Sequence, residues 1–271
     1  MSVSVVFMGT PQFAVPILQA LIDDEAYDVK AVVTQPDRRV GRKHELRATP
    51  VKELAVKYGI EVLQPEKLSG SPEMQRVIDL APDFEITAAF GQFLPVKMLE
   101  AAKIAAINVH GSLLPKYRGA APIQYAIKDG EAESGVTIML LDEGMDTGKM
   151  LKKAAIPLDA KETTGTLFDK LSILGAQTLL DVLTDLDGYE SRAVAQDESQ
   201  ATYTAKITKE EARIDWSQDA AVLERLIRTL DPHPGAYTVC HDGKRLKIWA
   251  ADVVEGTPVS YTHLRAHETR V

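Results

Sequence analysis

From residue 3 to residue 141 the chain repeats one pattern: a short apolar run, a turn, then a stretch with helical spacing. Residues 3–8, 29–34, 60–63, 84–89, 105–110 and 136–141 read as strands. Helical stretches separate them at 13–22, 51–58, 72–80, 96–102 and 123–128. Strands covered on both faces are apolar almost throughout, whereas strands with one wet face alternate. This rhythm admits few folds. It predicts an α/β protein: a doubly wound, mostly parallel, Rossmann-like sheet with helices on both faces. Ligands on such sheets sit at the carboxyl ends of strands. Gly9-Thr10, Phe90-Gly91, Asn108 to His110 and Asp142 to Asp146 all fall there.

The segment N-V-H-G-S-L-L-P at 108–115 carries the most chemistry. Asn108 and His110 are two residues apart on a strand, so they share a face. Asp146 follows the apolar run 136–141 and can approach the imidazole from a neighbouring strand end. An amide donor beside a His–Asp pair suits attack of an amine on a carbonyl group. Ser112, Leu113, Leu114 and Pro115 leave the strand in a proline-terminated turn, expected to expose two apolar side chains that wall a flat ligand. Gly9 lies in a first turn without G-x-G-x-x-G, so a packing glycine and a ligand contact both remain open. Glu85 interrupts an apolar strand. A buried unpaired carboxylate is costly, so Glu85 is expected to be partly solvated or paired.

Beyond residue 150 the rhythm changes. Residues 150–157 read as a strand or β-arm, and 164–186 as one long amphipathic helix. Residues 188–205 are polar and weakly patterned, as in a linker. A second unit follows, with a helix at 220–230 and a hairpin of 236–241 and 245–254 across Asp242-Gly243. The net charge of −8 opposes a generally basic surface, yet residues 30–52 carry seven Lys or Arg against two acids. A basic loop on an acidic body can grip phosphates locally. Residues 36–50 read as a long loop without apolar pattern, a length usually reserved for function. The single cysteine, Cys240, allows no internal disulfide, and no basic, apolar leader opens the chain. Both fit a cytoplasmic protein.

The motifs M-G-T-P-Q-F-A (8–14), T-Q-P-D-R (34–38), A-A-F-G-Q-F-L-P (88–95), N-V-H-G-S-L-L-P and K-I-T-K-E-E-A-R-I-D-W (206–216) resemble the folate-dependent formyltransferase family over nearly the whole chain. The T-Q-P-D-R and K-E-E-A-R-I-D-W segments are similar to members that formylate methionyl-initiator tRNA. The resemblance implies 10-formyltetrahydrofolate as co-substrate, that tRNA as partner, no metal, no membrane and a monomer. It implies Asn108, His110 and Asp146 as catalytic residues. It implies folate contacts at Phe90, Gly91, Gln92, Ser112, Leu113, Leu114, Pro115 and Asp142, and tRNA contacts at Arg38, Gly41, Arg42 and Lys43. Phe90 stands where many relatives have tyrosine, and G-R-K-H-E-L at 41–46 where they run G-R-G-K-K.

The implied organisation is a catalytic domain at 1–187, a linker at 188–205, an incomplete OB-like β-barrel for tRNA at 206–258, and an adapter-derived tail at 259–271. The tail V-S-Y-T-H-L-R-A-H-E-T reads as a translated sequencing adapter. That outweighs a helical zinc pair of His263 and His267 beside Glu268. Formyl transfer to a nucleotide-linked amino sugar, formyltetrahydrofolate hydrolysis, and non-catalytic folate or tRNA binding remain open.

Overall fold

The computed structural model describes residues 2–40 and 44–255. Its elements are β1 (Val3–Gly9), α1 (Ala14–Asp23), β2 (Tyr27–Val33), β3 (Arg38–Val40), β4 (Glu45–Arg47), α2 (Pro50–Lys57), β5 (Glu61–Leu63), α3 (Pro72–Leu80), β6 (Phe84–Ala88), α4 (Val96–Leu99) and β7 (Ala105–His110). There follow β8 (Arg118–Gly119), α5 (Pro122–Lys128), β9 (Glu133–Leu140), β10 (Met150–Pro157), α6 (Thr164–Thr184), α7 (Leu186–Ser191), β11 (Tyr203–Thr204), α8 (Ala220–Thr229), β12 (Ala236–Val239) and β13 (Arg245–Ile248).

The main sheet runs β10-β9-β7-β6-β1-β2-β5. The five strands from β7 to β5 are parallel, while β9 and β10 add an antiparallel edge. The chain winds outward from β1 through β2 to β5, then crosses back to β6 and β7. The winding therefore reverses between β1 and β6, which is where such sheets open a crevice. Alternate residues of each strand serve opposite faces. Val5, Phe7, Ile86, Ile107 and Val109 pack under α1 and α6 in the larger core. Val6 and Met8 face the other way, toward Val77 of α3 and Met98 of α4. Thr163 caps α6 reciprocally with Thr166, fixing the helix start.

Several expectations need correction. Residues 36–50 contain the antiparallel hairpin β3–β4. The side chains of β4 are all exposed, so no alternation marks it in sequence. The long helix breaks at Asp185 into α6 and α7, and the second C-terminal strand ends at Ile248. Glu85 is neither solvated nor paired: it is 0% exposed, and among the described residues neither carboxylate oxygen has a hydrogen-bond partner. Its neighbours in register are Val6 and Ala106, both apolar. Desolvation pushes its carboxyl up to about 8.

From residue 206 a small core forms around Ile214, Leu223, Ile227 and Ala236. It joins α8 to the hairpin β12–β13, and the described residues close no barrel. The tail expected at 259–271 lies outside the described residues. Among the described residues no helix is long and apolar enough to cross a membrane.

Candidate active site at the carboxyl ends of the strands

A cleft of about 510 Å³ opens over the carboxyl ends of β6 and β7, beside the reversal of winding between β1 and β6. Pro11 and Phe13, after β1, line one side; Asp142, Gly144, Met145 and Asp146, after β9, line another. Gly9 is not in the lining. A Cβ there would lie 2.7 Å from Ala14 Cβ and 2.9 Å from the Ala88 carbonyl oxygen. Close packing of turn against strand accounts for this glycine.

Asn108 and His110 share a face of β7 and reach the cleft together. The His110 Nε2 lies 2.9 Å from the Tyr117 carbonyl oxygen. A carbonyl only accepts, so Nε2 carries the hydrogen and donates it. The other nitrogen, Nδ1, faces Asp146 Oδ1 at 3.6 Å. That gap exceeds a hydrogen bond. The same Oδ1 lies 3.5 Å from Asn108 Nδ2, and the Gly119 amide donates to Oδ2 at 2.8 Å. Amide, imidazole and carboxylate thus converge, with one ring nitrogen free for proton traffic.

This convergence rests on strained backbone. Tyr117 has φ 63°, Asp146 φ 56° and Ala89 φ 49°, all in the left-handed region. A non-glycine residue there costs on the order of 1–3 kcal/mol. In Tyr117 the conformation belongs to the turn whose carbonyl meets His110. In Asp146 it belongs to the turn whose carboxylate meets Asn108, His110 and Gly119.

Of the expected folate contacts, Phe90, Gly91, Gln92 and Asp142 line the cleft. Thr10 Oγ1 and Gln35 Nε2 both donate to the Phe90 carbonyl, at 3.1 and 3.2 Å, fixing the main chain after β6. The Gln92 side chain is spent elsewhere: its Oε1 accepts from the Leu68 amide and its Nε2 donates to the Pro65 carbonyl. Asp142 Oδ1 accepts from the Gly144 amide and the Thr147 hydroxyl, shaping the loop before Asp146. Ser112, Leu113, Leu114 and Pro115 are outside the lining. The expected pair of exposed apolar side chains is absent: Leu114 is 0% exposed and packs with Met139 and Met150, and Leu113 is half-buried. Thr137 pins this turn, donating to the Ser112 carbonyl and accepting from the Leu114 amide.

Arg38 is exposed on β3 and pairs with Glu66 at 2.9 Å. Gly41, Arg42 and Lys43 lie outside the described residues. The root of their loop is fixed: Lys52 and Gln64 both donate to Asp37, holding its carboxyl below the usual range.

Sequence reasoning missed several residues here. Thr87 pairs with Asn108 in register and lines the cleft, and its buried hydroxyl has no partner among the described residues. A threonine two residues from Glu85 in an apolar strand was its only signal. Lys206 brings a cation to the cleft from the start of the C-terminal unit. Among the described residues no group of His, Cys, Asp or Glu could hold a metal ion.

The doubly wound sheet carries an Asn-x-His strand end with an aspartate facing it, and the chain belongs to the formyl transferase family. The model of that family, described as formyl transferase, matches residues 1–183, and that of the formyl transferase C-terminal domain matches 206–262. Curated relatives make the likeness more particular. The chain is 60% identical over 246 residues to a methionyl-tRNA formyltransferase of Limosilactobacillus fermentum, covering 91% of this chain and 78% of that one. It is 54% identical over 256 residues to that of Enterococcus faecalis, covering 94% and 81%. Among solved structures, a sugar N-formyltransferase from Shewanella superposes with TM-score 0.69 at 18% identity, covering 93% of this chain and 99% of that one. HypX from Aquifex aeolicus, in complex with tetrahydrofolic acid, gives TM-score 0.63 at 17% identity, covering 95% and 40%. These two likenesses speak for the fold alone.

Proposed function

We propose that this protein transfers the formyl group of 10-formyltetrahydrofolate to the α-amino group of methionyl-initiator tRNA, in the cytoplasm. The observation that carries the proposal is the convergence of Asn108, His110 and Asp146 within 3.6 Å at the strand ends. The relatives named above supply the substrate class.

The cleft fits the donor. Its volume falls in the range of about 300–1,000 Å³ usual for small-molecule sites, and the unpartnered Thr87 hydroxyl offers a buried polar contact. Phe90, Gly91, Gln92 and Asp142 would hold the folate, while the turn from Ser112 to Pro115, pinned by Thr137 of β9, fixes the end of β7. The α-amino nitrogen attacks the formyl carbon. The new nitrogen–carbon bond forms, the bond to N10 breaks, the amine loses a proton and N10 gains one. A free α-amino group has pKa about 7.7–8, so part of it is already neutral at cellular pH. Asn108 Nδ2 donates to the oxyanion that develops on the formyl oxygen. Nδ1 of His110 carries the proton between amine and leaving nitrogen. Asp146 Oδ1, 3.6 Å from His110 Nδ1, takes the proton from the amine, directly or through water, and relays it to the ring.

The tRNA is gripped by the basic hairpin through Arg38, Gly41, Arg42 and Lys43, and by the C-terminal unit, whose Lys206 meets the cleft. We assign residues 1–187 to catalysis, 188–205 to the connection and 206–258 to tRNA. The test is a formyl-transfer assay with charged initiator tRNA beside a hydrolysis control without it. Formylmethionyl-tRNA should accumulate. Release of formate at the same rate without tRNA would refute the proposal.

A further inference from the structure

Residues 194–204 read as a linker in sequence, yet they bond to the turns that carry Tyr117 and Asp146. β11 pairs in parallel with β8. Thr202 Oγ1 accepts from the Tyr117 amide at 2.8 Å, just before the carbonyl that holds His110. Gln196 reaches furthest. Its Nε2 donates to the main-chain carbonyls of Asp146, at 2.7 Å, and Gly148, at 2.9 Å. Its Oε1 accepts from Arg118 Nε at 3.0 Å. The amide orientation is unambiguous, because carbonyls only accept and a guanidinium only donates.

Arg118 completes the brace. It is 0% exposed, and its two terminal nitrogens donate to the two oxygens of Glu198, at 2.9 and 2.7 Å. Its own strand supplies the Gly119 amide that Asp146 Oδ2 accepts. Asp146 is therefore held from two sides. Gln196 grips its carbonyl, and the strand carrying Arg118 grips its carboxylate. Two such holds on one residue suit a backbone conformation that is costly by itself.

We infer that Gln196, braced by Arg118 and Glu198, is a positioning residue for Asp146: the connection to the C-terminal unit sets the geometry of the reacting centre. The inference rests on the proposed formyl transfer, but its test does not depend on it alone. Removing the Gln196 amide frees the turn from Asp146 to Gly148, and a displacement near 1 Å can cost on the order of 10²-fold in rate.

Gln196→Ala should lower kcat roughly 10–100-fold while KM for the formyl donor and for charged tRNA moves less than about twofold. Gln196→Glu, which keeps the size but loses the donor, should match it. Gln200→Ala, on the same segment but bonded only to Asp197, should leave kcat unchanged. In an Asp146→Ala background the Gln196→Ala change should cost less than about twofold more, because nothing is left to position. Without any turnover assay, hydrogen exchange of the Gly119 amide should quicken at least about tenfold in Gln196→Ala and stay unchanged in Gln200→Ala. An unchanged kcat in an active Gln196→Ala protein, a full additional loss in the Asp146→Ala background, or unchanged Gly119 exchange would each overturn the inference. Absence of formyl transfer in the parent protein would instead overturn the proposed function, with Gly119 exchange still deciding this one.

Discussion

Glu85 makes the stability of this protein fall as pH rises. Its carboxyl lies between Val6 and Ala106, fully buried and without a partner. Burial moves it from the ordinary 4.5 to about 8, which at about 1.4 kcal/mol per pH unit amounts to ~5 kcal/mol. The sign follows from proton counts. Below pH 4.5 the group is protonated both folded and unfolded. Between 4.5 and about 8 the unfolded chain has lost the proton and the folded chain keeps it, so unfolding gains with each step in pH. Above about 8 both forms are ionised and the dependence stops. Glu85→Gln removes this titration while nearly preserving shape. Urea unfolding of both proteins, followed by far-ultraviolet circular dichroism at pH 5, 6, 7 and 8, isolates the effect, since every other titrating group cancels in the difference. The parent should lose ~4 kcal/mol relative to the variant between pH 5 and pH 8. For a chain of this size that is roughly 8–16 °C in Tm. A difference that stays flat within about 1 kcal/mol would mean that the carboxyl finds water or a partner, and the desolvation argument would fail.

Asn108→Ala should lower kcat by roughly 10²–10³, the usual effect of losing an oxyanion donor; Asp146→Asn should impair turnover far more than Tm, and near-normal kcat in both folded variants would sink the assignment. Arg42→Ala should raise KM for charged tRNA, leave formyl-donor binding intact and reduce the salt slope of tRNA binding by about 0.7–0.9 per lost phosphate contact. Unchanged tRNA kinetics across a salt series would return the basic hairpin to ordinary solvated charge. Thr87→Val should stabilise the free protein by about 1 kcal/mol, because a buried unpartnered hydroxyl is replaced by a methyl group. The same change should weaken formyl-donor affinity several-fold by calorimetry, and unchanged affinity would show that the hydroxyl serves no ligand.

The sheet was legible because its strands are buried on both faces, so apolar runs such as 29–34 and 105–110 stand out from the helices between them. The common face of Asn108 and His110 followed from strand geometry alone. What stayed hidden depends on partners far away in the chain or on unusual backbone. The ring nitrogen of His110 is fixed by the Tyr117 carbonyl, and nothing in a tyrosine advertises a left-handed φ. Gln196, Glu198 and Thr202 resemble ordinary polar surface, because their partners lie about 50 to 85 residues earlier. Leu113 and Leu114 mislead in sequence because a proline turn at a strand end looks exposed, whereas this one packs against β9 and β10.

The two faces of β6 and β7 divide stability from chemistry. Ile86, Ile107 and Val109 pack under α1 and α6 in the larger core. On the other face, at the intervening positions, stand Glu85, Thr87, Asn108 and His110. A core would fill those four sites with apolar side chains. Here Asn108 and His110 find partners only through loops that sit in costly conformations, and Glu85 and Thr87 find none. Polar groups left unpaired under a sheet lower stability, yet they cannot be moved to the α1–α6 face without losing the crevice. Truncations of Ile107 or Val109 should therefore cost folding free energy at unchanged chemistry per folded molecule. Substitutions at Thr87, Asn108 or His110 should do the reverse, because the same pleat that hides one set of side chains aims the other at the ligand.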